Sequence, residues 1–296
     1  MYALIIVSLV WALSFGLIKG QLTGIDPILV STIRLVLCGL TFAVFIRFNQ
    51  SFRFQLQLFT LGIVQFGVMY WAYIQSYQYL PGYLVAVFTI FTPIYVLLIS
   101  AFYQRRLSWT LFAPILLSIG GAAIIVFKAP QSTDWLNGFF ILQVANIAFA
   151  FGQVTYKNLT KTVSKESDSQ PNNGTSMITH HLSNMGIMYL GACVFITLVA
   201  SINNSFANIS EISSKQWLIL LYLGVIASGV CFALWNFGAK QVSTSSLAIM
   251  NNGYIPCAVL FSLSLFGENA NIEKLIIGSA LMLISLWLAN KVNIHD

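Results

Sequence analysis

The sequence predicts an all-α integral membrane protein whose ten transmembrane helices form two inverted five-helix repeats. Three observations lead there. Hydrophobic residues fill 58% of the 296 positions and charged residues only 7%. A soluble domain carries about 25% charged residues, and so few charges cannot cover a soluble surface. The apolar residues gather into ten runs long enough for helices to cross roughly 30 Å of hydrocarbon, without the alternation of membrane-spanning strands. Finally, the second five runs echo the first five. Pro93 and Pro256 lie 163 positions apart, and at that offset Gln78 meets Gln241, Leu84 meets Leu247, Val96 meets Val259 and Leu97 meets Leu260. Weak self-similarity in a hydrophobic chain marks an internal duplication. Five crossings per copy set the second copy upside down relative to the first.

The expected helices are 2–18, 28–48, 56–77, 82–103, 108–127, 135–155, 180–202, 216–239, 244–266 and 272–291. The first has no basic segment before it and no small-residue cleavage pattern after it, so it reads as a retained helix. Asp26-Pro27 opens the second, because proline suits a first helical turn. Pro81-Gly82 separates the third from the fourth. The repeats are expected at 1–128 and 135–296. Between the sixth and seventh helices, 157–179 is polar, contains Pro171 and Gly174, and reads as a flexible cytoplasmic loop. His180 and His181 follow it without Asp, Glu or Cys at ligand spacing, so a solvated loop end is favoured over a metal site. Cys38, Cys193, Cys231 and Cys257 all fall in apolar runs and read as small packing residues.

The net charge of +6 does not point to nucleic acid, because the basic residues form no stripe with interleaved aromatics. With both termini cytoplasmic, nine basic residues (Arg47, Arg53, Arg105, Arg106, Lys157, Lys161, Lys165, Lys240, Lys291) fall on the cytoplasmic side and four (Lys19, Lys128, Lys215, Lys274) on the other. That excess follows the positive-inside rule. The expected location is therefore the inner (plasma) membrane, crossed many times, with both ends in the cytoplasm.

Polar side chains inside hydrocarbon are costly and mark function or helix locking. Arg34, inside the second run, has both readings: a counter-charge for an anionic substrate group, or an arginine that ties helices together. Gln143, Asn146, Ala150 and Gln153 share one helical face, which suits a polar pathway or interhelical hydrogen bonds. Asn251 and Asn252 precede Pro256, and Thr89 precedes Pro93. Each proline deprives the carbonyl four residues back of its donor, so Asn252 and Thr89 mark either facing points where a ligand could bind or structural kinks repaired by neighbouring side chains. Among the aromatics, Trp11 and Trp235, well inside their helices, are the preferred cavity residues, with Tyr70, Phe15, Trp71 and Tyr73 as further candidates; Tyr77, Tyr79 and Tyr83 flank a turn and read as interfacial belt residues. No Asp or Glu lies deep in any run, which predicts facilitated diffusion, exchange, or coupling through another group.

Several of these residues carry a family likeness. Trp11, Ser14-Phe15, Lys19 and Arg34, then Tyr70 to Gln78, Pro93 and Gly120-Gly121, are followed in the second half by Leu234-Trp235, Lys240, Ser243, Ser246, Pro256, Gly267-Glu268 and Gly278. This spaced pattern resembles the drug/metabolite transporter superfamily in its ten-helix EamA-type form. One departure is Gln104-Arg105, which stands where the first repeat would carry its own Gly-Glu. The resemblance implies a multi-pass carrier of small metabolites, often an exporter of amino acids or related compounds. Two inverted copies around one cavity suit alternating access, and the expected partners are a small-molecule substrate and the bilayer, for a monomer or homodimer without cofactor or metal. A membrane-embedded enzyme would need a nucleophile, acid/base pair or metal cluster at depth, and none is visible. A channel would need repeated subunits or a filter segment.

Overall fold

The structure is a computed structural model that describes residues 1–22, 24–80, 85, 88–106, 109–126, 135–166, 174–257, 261 and 272–295. The described residues form an all-α membrane protein. The helices are α1 (Tyr2–Gln21), α2 (Pro27–Ala43), α3 (Phe52–Ser76), α4 (Thr92–Gln104), α5 (Phe112–Val126), α6 (Trp135–Glu166), α7 (Gly174–Ile202), α8 (Ser214–Gln241), α9 (Thr244–Met250) and α10 (Ile272–His295); among the described residues α3, α6, α7, α8 and α10 are long and apolar enough to cross a membrane. Local signals set several starts. Asp26 accepts from the amide of Ile28 ahead of Pro27, Ser51 caps α3, and Ser213 with Gln216 makes a reciprocal capping box on α8.

The packing follows a two-fold plan. α2 packs on α7, α4 on α9 and α5 on α10; α1 and α2 pack on α8 as α6 and α7 pack on α3. Exchanging the halves maps every one of these pairs onto itself or onto another. Local irregularities repeat too. α3 contains a π-helical stretch, Ile63–Val68, and α8 another, Tyr222–Val230. Close backbone approach accompanies both. A Cβ on Gly62 would sit 1.9 Å from the Met188 carbonyl oxygen of α7, and one on Gly224 would meet Leu37 of α2 at 2.7 Å. On α5 and α10, Gly121 and Gly278 each face the other's carbonyl oxygen, at 2.7 and 2.4 Å from the would-be Cβ. Without a hydrophobic force between helices in lipid, such small-residue seams are how spans pack.

Two expectations are corrected. The loop expected from residue 157 is helical as far as Glu166, and α7 already begins at Gly174; 167–173 lie outside the described residues. Tertiary contacts override the polar composition here: Tyr156 is buried, Thr160 bonds back to its carbonyl, and Lys157 Nζ donates to the Val242 carbonyl at the end of α8. His181 is likewise no solvated loop end. It is buried, with Nδ1 2.6 Å from the Tyr156 hydroxyl and Nε2 2.8 Å from the Ala233 carbonyl. The start of the fourth run and the latter part of the ninth, Gly267-Glu268 included, lie outside the described residues.

Gly62→Val should lower stability by about 3 kcal/mol or more, since a backbone carbonyl cannot move aside as a side chain can. Gly120→Ala, where a Cβ meets nothing within 4 Å, should leave it unchanged. Thermal unfolding in detergent reads both; equal losses would refute the close α3–α7 seam.

Candidate functional site

A central cavity of about 120 Å³ lies between the two halves, lined from α1, α2, α3, α6, α8 and the segments around α4 and α9. Its chemistry starts from the α8 π-helix. A π register bonds each amide to the carbonyl five residues back and leaves carbonyls without their α-helical donors. Several carbonyls of this stretch also accept from side chains of other helices, bonds that count where no water competes. Gly224 accepts from Cys38 Sγ (3.2 Å), Ala227 from Trp11 Nε1 (2.8 Å), and Ser228 and Gly229 from the Tyr189 hydroxyl (2.9 and 2.8 Å). Helices α1, α2 and α7 are thereby tied to one stretch of α8.

Ser228 then organises the one charged group among the described lining residues. Its hydroxyl donates to the Leu223 carbonyl at 2.7 Å, so toward other partners it acts as acceptor. Arg34 Nε and Nη2 donate to it at 3.2 and 3.0 Å, Nη2 also donates to the Tyr70 hydroxyl at 2.9 Å, and Tyr70 lies 2.6 Å from Ser228. The guanidinium carbon sits 4.8 Å from the Tyr70 ring centroid, a cation–π distance. Arg34 is 4% exposed, yet its Nη1 is buried without a hydrogen-bond partner among the described residues. Half of the guanidinium thus ties α2 to α3 and α8, while Nη1 of this cavity-lining residue has no acceptor among the described residues.

Around it stand aromatic walls and amides. Trp11 packs on Phe232 and on Trp235, each at 5.0 Å, and Phe149 closes against Trp11 and Phe232. Asn146 Nδ2 donates to the Phe88 carbonyl at 2.9 Å, joined by Gln143 Nε2 at 3.4 Å. Trp235 Nε1 donates to Gln153 Oε1 at 2.9 Å, and Gln153 Nε2 to Asn251 Oδ1 at 3.1 Å. Below this chain, toward the face carrying both termini, Leu4, Val7, Ala239, Leu247 and Met250 pack into a dry layer. Thr89 and Tyr254, 2.6 Å apart, join the fourth and ninth segments on the other side of Asn251.

Of the residues singled out from sequence, Trp11, Arg34, Tyr70, Thr89, Asn146 and Asn251 line the cavity, as does Tyr73. Gln143, Gln153 and Trp235 stand behind that lining as its hydrogen-bonded support. The prolines make breaks rather than kinks. The chain turns at Ile90–Phe91, and Pro93 sits in the first turn of α4; it turns again at 251–253, and Pro256 lies in the short helical piece that follows. The carbonyls thought free for a ligand are occupied: Thr89's by the Thr92 hydroxyl at 2.8 Å, Asn252's by the Ile255 amide at 3.1 Å. Asn252 lies outside the cavity and donates through Nδ2 to the Ile90 carbonyl at 3.3 Å, so the break in one half is stitched by the other. Sequence reasoning passed over Ser228, Phe149, Phe232 and Tyr254. Tyr254 had a signal, being one turn after Asn251 on the same face; Ser228 in an apolar run had none.

A model of the EamA-like transporter family matches residues 1–127 and again 175–291. The "Biotin transporter" of Salmonella typhimurium is 34% identical over 294 residues, covering 98% of this chain and 93% of its own. That of Escherichia coli K12 is 33% identical over the same shares. The "Probable biotin transporter" of Pseudomonas aeruginosa is 31% identical over 96% of each chain. A solved crystal structure with 17% identity superposes with a TM-score of 0.72 over 98% of this chain and 96% of its own; it shares the fold.

The buried Trp235–Gln153 pair should couple. A double-mutant cycle of Trp235→Phe and Gln153→Met, read by unfolding in mixed micelles, should give about 0.6–1.7 kcal/mol. Strict additivity would refute the bond.

Proposed function

The chain belongs to the EamA-like transporter family, and from that membership we propose that it carries biotin or a close monocarboxylate relative across the inner membrane by alternating access. The observation that carries this reading is the unpartnered Nη1 of Arg34 beside the cavity. A carboxylate supplies the acceptor that a buried guanidinium lacks, through a charge-assisted hydrogen bond. Biotin joins such a carboxylate, on an aliphatic tail, to fused rings bearing a cyclic urea, which both donates and accepts hydrogen bonds. The tail suits the Trp11, Phe149 and Phe232 walls. The urea suits Asn146, Asn251 and the Thr89–Tyr254 hydroxyl pair. The naming of the relatives as biotin transporters agrees with this division. An amino acid is a poorer match, because its ammonium group would meet Arg34 and no carboxylate among the described lining residues.

With the termini in the cytoplasm, the layer of Leu4, Val7, Ala239, Leu247 and Met250 is the closed inner gate, and the cavity is served from outside. The positive-inside excess supports that orientation. The two repeats at 1–128 and 135–296 supply the rocking halves, in agreement with two separate stretches of family match; the sixth span falls between those stretches.

Arg34→Ala should weaken biotin binding by about 10- to 150-fold, the range of about 1.5–3 kcal/mol for a hydrogen bond to a charged group. Biotin amide should bind the unmodified protein and the variant equally weakly. Thermal shift with both ligands reads the pair, and tight amide binding to the unmodified protein would sink the role given to Arg34. Transport has a signature as well. Binding turns the site from cationic to neutral, so carriage of the anion alone moves net charge, at about 2.3 kcal/mol per 100 mV. In proteoliposomes, an inside-positive potential should speed uptake. Uptake indifferent to the imposed potential would mean that a cation travels with the substrate.

A further inference from the structure

A second concavity lies apart from the central cavity, near the face that carries both termini. It is formed by one stripe each of α3 and α6 with the end of α4. Gln57, Thr60 and Val64 of α3 and Phe151, Thr155 and Asn158 of α6 line it, and Tyr103 closes one wall with its hydroxyl 2.9 Å from Thr155 Oγ1. At about 440 Å³ it exceeds the central cavity at 120 Å³. Its deep end is apolar (Leu61, Val64, Phe151), and its shallow end is a ring of hydroxyls and amides. That gradient, running from a helix end toward mid-span, is the gradient of a lipid molecule from glycerol backbone to acyl chain.

The charges around the shallow end match in sign. Arg53 lies one turn before Gln57 on the same stripe of α3. Arg105 and Arg106 follow Tyr103 at the end of α4. Lys161 lies one turn after Asn158. All four are exposed, and they are four of the chain's 14 lysines and arginines. Lys157, by contrast, points away to the Val242 carbonyl. Arg105 adopts a left-handed conformation (φ 52°) that ends α4. Basic clusters between spans on the cytoplasmic side hold anionic headgroups.

We propose that this groove is a binding site for one anionic phospholipid of the adjoining leaflet. Its phosphate meets Arg53, Arg106 and Lys161, its glycerol esters meet Tyr103, Thr155 and Gln57, and an acyl chain lies along Leu61, Val64 and Phe151. Because α3 and α6 also line the central cavity, the bound lipid clamps two walls of the carrier.

The test uses the full chain, purified in detergent, with phosphatidylglycerol or phosphatidylcholine of the same acyl chains added. Native mass spectrometry and thermal unfolding read the result. Phosphatidylglycerol should bind in one tightly held copy and raise the melting temperature more than phosphatidylcholine does. The triple variant Arg53→Gln/Arg106→Gln/Lys161→Gln, at exposed positions, should lose that preference by roughly tenfold or more in affinity. Lys291→Gln, exposed on the same face, should keep it. Thr155→Trp, which fills the groove and leaves the rim charges in place, should also release the lipid. Equal effects of the two lipids, an unchanged preference in the triple variant, or an equal shift from soluble glycerol phosphate would each overturn the proposal.

Discussion

What the molecule depends on is the satisfaction of backbone carbonyls where no water reaches them. Carbonyls of the π-helical stretch of α8 accept from the side chains that hold the bundle together: Cys38 from α2, Trp11 from α1, Tyr189 from α7. The same register orients Ser228 so that its hydroxyl gives its proton to Leu223 and keeps its lone pairs for Arg34 and Tyr70. Ser228 and Tyr70 take up Nε and Nη2 of the guanidinium, and Nη1 is left without an acceptor among the described residues. An irregularity of the main chain thus decides the charge of the site, by a sequence of hydrogen bonds that can be followed atom by atom.

The π-helical stretch of α8 has a counterpart in the first half. The stretch at Ile63–Val68 is also π-helical, and its Gln65 bonds Asn236 of α8 at 2.9 Å, well away from the charged centre. The breaks at Ile90–Phe91 and at 251–253 recur at almost the offset of the two prolines. At both breaks the local demand is met by hydroxyls, amides and the turn itself. The architecture is held in duplicate, while the cationic function is held once.

The fold was legible because its causes are local and one-dimensional. Ten apolar runs, two prolines at a fixed spacing and Asp26-Pro27 are all visible without a third dimension. Arg34 was legible for the opposite reason, since a charge in an apolar run is conspicuous. Trp11, Asn146 and Asn251 followed from helical spacing. Ser228 was not legible, because an isolated serine among Ala227 and Gly229 looks like a packing residue until the π register aims it. Phe149 and Phe232 look like any lipid-facing phenylalanine until their neighbours are known. The misjudged loop after the sixth run has the same origin: Tyr156, Lys157 and Thr160 look solvated by composition, and only contacts with α7 and the end of α8 make them helix.

The stitch between the two breaks has one further consequence. The amide of Asn252 occupies a carbonyl, that of Ile90, which belongs to the other repeat. Asn146 does the same for Phe88 across the same divide. Neither half is therefore self-sufficient. Made as a separate polypeptide, the first would expose bare carbonyls to lipid and the second bare amides, each at a cost of several kcal/mol per group. The two hydrogen bonds thus make each half a required part of the other's membrane-embedded structure.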